Sequence, residues 1–202
     1  MPGASSSYYI GPISQSRWQD YRDLRLEALQ TDPEAFGSNP EREKEFDEAE
    51  WKRRMTKVFF AIPHSADTEE SDPLHGQLVG MVGVIPEAVF ADGLATTGFI
   101  VSVWTRPAFR RRGIAAKMMT WIMQHYNDPE VAAQHRYGRD LLPEARRREV
   151  GEDTPVSKLS LQVEGGNVAA QKLYEALGFV QVSGRTLASC CNQTMELSLK
   201  LE

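Results

Sequence analysis

Residues 106–119, RPAFRRRGIAAKMM, join a basic turn that contains a glycine to an apolar stretch with helical character. They follow the apolar run 97–104, which is typical of a buried strand. A turn from a strand into a helix leaves about four backbone N–H groups unpaired at the positive end of the helix dipole. Gly113 lets a ligand approach that backbone closely, and no acidic side chain follows in the first helical turn. The pattern favours a phosphate-binding turn over a solvated basic turn.

Composition limits the class of protein. With 202 residues, 41% of them hydrophobic, the chain is expected to form one globular domain over residues 1–202. A net charge of −5 argues against nucleic acid as the main partner, because nucleic-acid binding usually requires a basic face. No stretch approaches the roughly 20 apolar residues of a membrane span, and the serine-rich start lacks the features of a signal peptide. The two cysteines, Cys190 and Cys191, are adjacent, which favours a reducing compartment and a cytoplasmic location.

Hydrophobic periodicity predicts the element order β-α-α-β-β-β-α-β-α-β-β, and this mixed order indicates an α+β or three-layer α/β domain. The first helix is expected to open at Ser16 with a capping box and to end before Pro33. A second helix is expected from Asn39-Pro40 onward, with Phe46, Trp51 and Met55 as its apolar contacts. The strands are expected in the lead that contains Tyr8, Ile10 and Ile13, and at 58–62, 78–85, 97–104, 158–163, 179–182 and 194–201. In the strand 97–104, Phe99, Val101 and Val103 are expected to share one face. Residues 63–76 and 127–156 are polar and are interpreted as surface loop insertions.

The basic turn has neither the Rossmann spacing G-x-G-x-x-G nor the P-loop spacing G-x-x-x-x-G-K-[ST]. Its sequence from Arg110 to Ala115, R-x-x-G-x-A, resembles the acyl-CoA-binding signature of the GNAT family of N-acetyltransferases. Two further blocks are similar to that family in the same order. YRDLRLEALQTDPEAFGS looks like its first helix and substrate-side loop, and LSLQVEGGNVAAQKLYEALGF looks like its later strand–helix unit.

The resemblance implies a three-layer α/β/α fold with a mixed, mostly antiparallel central sheet that is splayed in its middle. It also implies acetyl-CoA as co-substrate and no metal. The pyrophosphate would rest on the backbone amides of Arg110, Arg111, Arg112, Gly113, Ile114 and Ala115, whose arginines add charge around it. The pantetheine arm would pair with the main chain of Val103, Trp104 and Thr105. Asn167 matches the cofactor-side asparagine of the family, although a role as a helix N-cap is also compatible with its position.

In the family a substrate amine attacks the thioester directly, so no cysteine nucleophile is needed. The departing thiolate benefits from a proton donor, and Tyr174 matches the tyrosine that often supplies it. The alternative for Tyr174 is a core tyrosine on an amphipathic helix. Lys172 is interpreted as an exposed helix lysine. Four residues near strand ends or loops could approach the site as the base that removes the amine proton: Glu34, His64, Glu87 and Asp92. Each is interpreted as ordinary surface charge, and no base is assigned.

The function expected is transfer of the acetyl group of acetyl-CoA to a primary amine of an unidentified substrate. One alternative is a protein lysine or N-terminal acetyltransferase, and another is a CoA-binding sensor without turnover. A nucleic-acid binder that uses residues 110–112 and 146–148 conflicts with the acidic overall charge. The sequence leaves the amine and the oligomeric state open.

Overall fold

The computed structural model describes residues 7–64, 76–87, 96–134, 144, 156–182 and 192–199. The strands within these ranges are β1 Tyr8–Gly11, β2 Val58–Pro63, β3 Gly80–Pro86, β4 Thr97–Thr105, β5 Lys158–Glu164, β6 Val180–Val182 and β7 Asn192–Ser198. The helices are α1 Trp18–Thr31, α2 Pro40–Lys44, α3 Glu48–Met55, α4 Ile114–His125, α5 Pro129–Gln134 and α6 Val168–Ala176. None of the helices in these ranges is long and apolar enough to cross a membrane.

The seven strands form one mixed sheet in the order β1-β2-β3-β4-β5-β7-β6. β1 pairs with β2, and β7 pairs with β5 and with β6, in antiparallel fashion. β4 and β5 are parallel, in a register that pairs residues 97–100 with residues 158–161. β4 continues beyond this register to Thr105. The mixed sheet predicted from the sequence is therefore confirmed.

Two compact units divide the chain: residues 1–82 with 102–121, and residues 83–101 with 122–202. In the first unit, Phe60 of β2 packs edge-on against Tyr21 of α1, with ring centroids 5.6 Å apart. Its neighbour Phe59 packs against Trp121 of α4, at 5.0 Å. Because successive residues of a strand point to opposite faces, α1 and α4 cover opposite faces of β2. This unit therefore has the predicted α/β/α layering. The expectation of a single domain over 1–202 stays a prediction.

The N-terminal helices differ from the sequence prediction at two points. The segment predicted as one helix from Asn39 divides into α2, capped by Asn39, and α3, capped by Asp47, whose carboxylate accepts a hydrogen bond from the N–H of Glu50 at 2.8 Å. The predicted helix start at Ser16 is also wrong. Ser14 caps a short 3-10 turn there, and α1 begins only at Trp18.

In the second unit, Asn127 holds together the two ends of the predicted insertion 127–156. Its Nδ2 donates to the carbonyl of Val156 at 2.9 Å, and its Oδ1 accepts from the N–H of Val156 at 3.0 Å. We call this pair the Asn127–Val156 clasp. α5 lies within the insertion, whereas most of the rest lies outside the described residues. Of the first predicted insertion, 63–76, Pro63 ends β2 and residues 65–75 lie outside the described residues.

Replacing residues 128–155 by a Gly-Ser linker of about five residues should leave the protein folded, because such a linker spans up to about 17 Å and the clasp brings both ends within hydrogen-bonding distance. We expect the affinity for CoA, measured by calorimetry, to stay within about twofold of the wild-type value, because surface loops tolerate changes in length. Limited proteolysis of the full-length chain should cut this segment first. Loss of the cooperative melting transition in the linker variant would show instead that the segment packs as part of the core.

Candidate active site

The turn between β4 and α4 contains two left-handed residues. Gly113, which directly precedes α4, has a φ of 74° and Arg111 has a φ of 63°. A Cβ atom placed on Gly113 would meet nothing within 4 Å, so the space above this glycine is open. Left-handed backbone is costly for most side chains, and residues that persist in it often belong to functional sites. The turn predicted at the start of this helix therefore has an open, specially shaped backbone.

Six consecutive backbone N–H groups, those of residues 111–116, have no acceptor among the described residues. The first N–H of this segment that is paired belongs to Lys117, which donates to the carbonyl of Gly113 at 3.0 Å. No acidic side chain occupies the first turn of α4. Unpaired N–H groups at the start of a helix, next to left-handed residues, form a concave site for anions. This turn has the geometry of a phosphate site.

The three arginines of the turn differ in their surroundings. Arg110 donates from Nε to the carbonyl of Thr105 at 3.1 Å and is ion-paired with Asp32. Arg112 donates to the carbonyl of Ala108 at 2.9 Å and lies over the ring of Phe109. The exposed side chain of Arg111 has no partner among the described residues. Of the three guanidinium groups, that of Arg111 is therefore the one most available to an anion.

The end of β4 is held by the residue that follows α1. Asp32 accepts a hydrogen bond from the indole Nε1 of Trp104 at 2.7 Å, in addition to its ion pair with Arg110. The hydroxyl of Thr105 is buried and has no hydrogen-bond partner among the described residues. A buried polar atom without a partner is costly, so this hydroxyl suits a polar ligand beside the strand. β4 thus ends at residues 103–105, where the indole of Trp104 is fixed and the hydroxyl of Thr105 is available to a ligand.

A buried charged network joins α1, α2 and α3. Arg25 of α1 makes a two-pronged contact with Glu43 of α2, with N–O distances of 3.0 and 2.9 Å, and Arg54 of α3 reaches the same carboxylate at 3.0 Å. Both Arg25 and Glu43 are buried. Burial acts to raise the pKa of Glu43, but the hydrogen bonds and charge of Arg25, followed by the charge of Arg54, outweigh it and lower that pKa below its ordinary value. Glu43 is therefore ionised in the folded protein.

Because this pKa is lower in the folded state than its ordinary value of 4.5, Glu43 stabilises the fold above about pH 4.5 and loses that contribution as the pH falls through the folded value. We expect the urea midpoint of the wild type to fall steeply between pH 5 and pH 3, and the Glu43→Gln variant to show a shallower fall. The Glu41→Gln variant, which changes an exposed carboxylate of the same helix, should retain the wild-type slope. Equal slopes in all three proteins would contradict this assignment.

Tyr174 lies on α6, in the second unit. Its side chain is buried and its ring packs against Phe179, with centroids 6.0 Å apart. Burial raises the pKa of the Tyr174 phenol to about 12. Its hydroxyl makes no hydrogen bond within the part of the chain that the structure describes. The phenol is therefore protonated over the whole physiological range, and its hydrogen-bonding capacity is available to a ligand.

Asn167 is the N-cap of α6, as the alternative interpretation of this residue proposed. Its Oδ1 accepts a hydrogen bond from the N–H of Ala170 at 3.1 Å. This bond leaves the Nδ2 group of the side chain for other contacts, so its role towards the cofactor stays a prediction. Lys172, on the same helix, is exposed, which confirms the interpretation made from the sequence.

Glu87 departs from the sequence interpretation, which treated it as ordinary surface charge. It is fully buried just after β3 and accepts a hydrogen bond from the hydroxyl of Ser160 on β5 at 2.6 Å. Glu34 and His64 are exposed, in agreement with that interpretation. Asp92, Cys190 and Cys191 lie outside the described residues. No group of three or more potential metal ligands occurs among the described residues.

Sequence reasoning missed Arg25, Asp32 and Glu43. A signal for Arg25 was present, because this residue falls within the apolar stripe of α1 that Tyr21, Leu24 and Ala28 define. A charged residue on a buried stripe requires a partner of opposite charge. Glu43 offered no equivalent signal, since it stands in a run of similar glutamates at 41, 43 and 45.

Comparison with known proteins identifies the family. Residues 18–137 match the model of the acetyltransferase (GNAT) family. The matched segment covers more than half of the chain, so the protein belongs to the GNAT acetyltransferase family. The segment includes the β4–α4 turn and ends before β5 and Tyr174. No curated protein sequence matches the chain.

Solved structures share this fold at low sequence identity. The putative acetyltransferase YncA of Salmonella typhimurium, with its cofactor acetyl-CoA, is 17% identical over 98% of this chain and 96% of its own, with a TM-score of 0.55. The PaiA N-acetyltransferase of Thermoplasma acidophilum, in complex with CoA, is 12% identical over 95% and 99%, with a TM-score of 0.55. NAA60 of Arabidopsis thaliana, in complex with a bisubstrate analogue, is 16% identical over 96% and 98%, with a TM-score of 0.54. At these identities the likeness establishes the fold.

Proposed function

We propose that this protein is an acetyl-CoA-dependent N-acetyltransferase that transfers the acetyl group directly to a primary amine. The observation that carries the proposal is the run of six backbone N–H groups at residues 111–116 that have no acceptor within the described part of the chain, arranged around the left-handed Arg111 and Gly113. Such a run suits a diphosphate, which presents several oxygens to one cluster of donors. Acetyl-CoA and CoA in the structures of YncA and PaiA support the same ligand class.

The residues around the turn suit the other parts of CoA. We assign the pyrophosphate to the backbone of residues 110–115, with the guanidinium of Arg111, which has no partner among the described residues, as an additional contact. We assign the pantetheine arm to the main chain of residues 103–105, beside the available hydroxyl of Thr105. The carbonyl of Thr105 is already bonded to Arg110, so the remaining main-chain groups of this stretch would serve the pantetheine amides. Asn167 is assigned to the cofactor side through its Nδ2.

The reaction that we propose needs no covalent enzyme intermediate. The nitrogen lone pair of the neutral amine attacks the thioester carbonyl carbon, the C–N bond forms, and the C–S bond breaks. The amine loses one proton and the departing thiolate gains one, so the products are an amide and CoA thiol. We assign the hydroxyl of Tyr174 to the sulfur as a hydrogen-bond donor, because the phenol is protonated and makes no other hydrogen bond among the described residues.

A panel of acceptors with acetyl-CoA tests the activity, with release of free thiol as the signal. The panel should contain small primary amines, peptides with free N-termini and peptides with internal lysines, so that small-molecule and protein substrates are separated. A reaction without acceptor measures background hydrolysis. Mass spectrometry of the product should show one added acetyl group on nitrogen.

Two outcomes would contradict the proposal in different ways. Absence of CoA binding in calorimetry would reject the phosphate assignment of the β4–α4 turn. Tight CoA binding without thiol release on any acceptor of the panel would favour the alternative, a CoA-binding sensor without turnover. Release of thiol only with peptides would assign the protein to the protein acetyltransferases.

A further inference from the structure

Ser102 has a backbone conformation that is unusual for its residue type. It lies within β4 with a φ of 58°, in the left-handed region, which disfavours residues that carry a Cβ atom. Its position disrupts the alternation expected from the sequence, in which Phe99, Val101 and Val103 share one face. Residues 101, 102 and 103 are instead half-buried in succession. Residues 103–105, which directly follow Ser102, are those that we assign to pantetheine.

One side chain from α1 holds Ser102. Nη1 of Arg25 donates to the hydroxyl of Ser102 at 3.1 Å. The other arms of the same guanidinium are fixed, because Nε and Nη2 both bind the buried carboxylate of Glu43. A planar guanidinium that makes two bonds to one carboxylate has little freedom to rotate. Its third arm therefore points at Ser102 in a defined direction.

The substrate-side loop also contacts this guanidinium. Phe36, in the loop between α1 and α2, stacks on Arg25, with the guanidinium carbon 4.8 Å from the ring centroid. Glu43 follows the same loop on α2. Arg25 thus contacts both the loop that precedes α2 and the strand that carries residues 103–105. All of these residues belong to the first unit.

We propose that Arg25 is a positioning residue, which fixes Ser102 in its left-handed conformation and thereby sets the course of residues 103–105 for pantetheine. This inference rests on the proposed function, because it assigns Arg25 a purpose in CoA binding. Without the hydrogen bond, β4 relaxes towards ordinary extended backbone at residue 102. CoA then binds only the molecules in which the left-handed conformation persists, and its apparent affinity falls in proportion to the fraction of such molecules.

Two substitutions at Ser102 separate the hydrogen bond from the backbone conformation. Ser102→Ala keeps the Cβ atom, which disfavours the left-handed region, and removes the acceptor for Arg25. We expect a dissociation constant for CoA that is about five- to tenfold higher than in the wild type. Ser102→Gly removes the acceptor and the Cβ atom together, and glycine adopts positive φ at little cost. We expect its dissociation constant to stay within about twofold of the wild-type value.

Arg25→Lys is the third variant of the experiment, and it keeps a positive charge next to Glu43. Lysine lacks the fork that reaches Glu43 and Ser102 together, so this variant should bind CoA as weakly as Ser102→Ala. In the Ser102→Ala background it should have no further effect, because both changes remove the same interaction. The melting temperature of each variant serves as the control for folding.

Hydrogen exchange in the CoA-free protein gives a readout that does not depend on the proposed function. The amides of residues 103–105 should exchange faster in Ser102→Ala and at about the wild-type rate in Ser102→Gly. The inference is wrong if Ser102→Ala matches the wild type in both exchange and affinity, or if Ser102→Gly is impaired as much as Ser102→Ala. A wild-type protein that does not bind CoA, but shows the expected exchange pattern, would reject the proposed function and leave the role of Arg25 in the strand supported.

Discussion

Gly113→Asp should weaken CoA binding by roughly 3 kcal/mol, which is on the order of 10²-fold in the dissociation constant. The new carboxylate would enter the open space above residue 113, where the unpaired N–H groups of residues 111–116 would otherwise meet phosphate. It would repel the pyrophosphate and compete with it for the same donors. Aspartate is one of the few side chains that tolerate positive φ, so the fold should survive.

Two matched variants isolate the cause of the expected loss. Gly113→Asn has nearly the same shape and the same tolerance of positive φ but no charge, so it should lose much less affinity. Gly37→Asp introduces the same charge at another open position with ordinary backbone, and it should bind CoA as the wild type does. Calorimetry measures the affinities, and melting curves show that each variant is folded. Unchanged CoA binding in folded Gly113→Asp would end the assignment of this turn to the pyrophosphate.

Tyr174→Phe should lower turnover by about 10²-fold while leaving the affinity for acetyl-CoA and the melting temperature nearly unchanged. The substitution removes the hydroxyl and keeps the ring that packs against Phe179. The raised pKa of about 12 makes full transfer of the proton to a thiolate uphill, since an ordinary thiol has a pKa of about 8.5. The effect that we expect therefore arises from a hydrogen bond that strengthens as negative charge develops on the sulfur.

The pH profile of the wild type adds a second measurement. Because the phenol of Tyr174 stays protonated up to about pH 12, an alkaline fall of kcat below about pH 10 must arise from another group. Tyr126→Phe removes the hydroxyl of a second buried tyrosine of the same unit, and it should leave turnover unchanged. If Tyr174→Phe loses stability but retains the turnover of the folded fraction, Tyr174 is a packing residue and the donor is unassigned.

The β4–α4 turn, which we assign to the cofactor, could be located by sequence analysis because its chemistry is local. Gly113, the arginines before it and the absence of an acidic residue in the first helical turn are read directly from neighbouring positions. The division between α2 and α3 could have been predicted from neighbouring residues as well, since Asp47 and Glu50 have the spacing of a helix cap. The single long helix was predicted because Phe46, Trp51 and Met55 have a spacing that obscures the break.

Features that depend on distant partners could not be predicted. The left-handed φ of Ser102 has no signature in residue type, and its contact with Arg25 joins positions far apart in the sequence. Glu87 resembles any glutamate at a strand end until Ser160 is brought beside it by the pairing of other strands. The choice among Arg110, Arg111 and Arg112 as the available cation depends on Asp32 and Phe109. Burial of a residue can therefore be predicted from sequence patterns more readily than the polar contacts that its side chain makes.

Folding speed depends on how much chain must be brought together before a parallel pair of strands can form. β4 and β5 form such a pair, and the connection between them runs from Thr105 to Lys158. Once the Asn127–Val156 clasp forms, the segment between its partners is bypassed and the remaining connection is roughly half as long. Halving a flexible loop lowers its closure cost by about 0.6 kcal/mol, which corresponds to roughly threefold faster closure. The clasp therefore allows the chain to carry a long insertion between its parallel strands with little delay in folding.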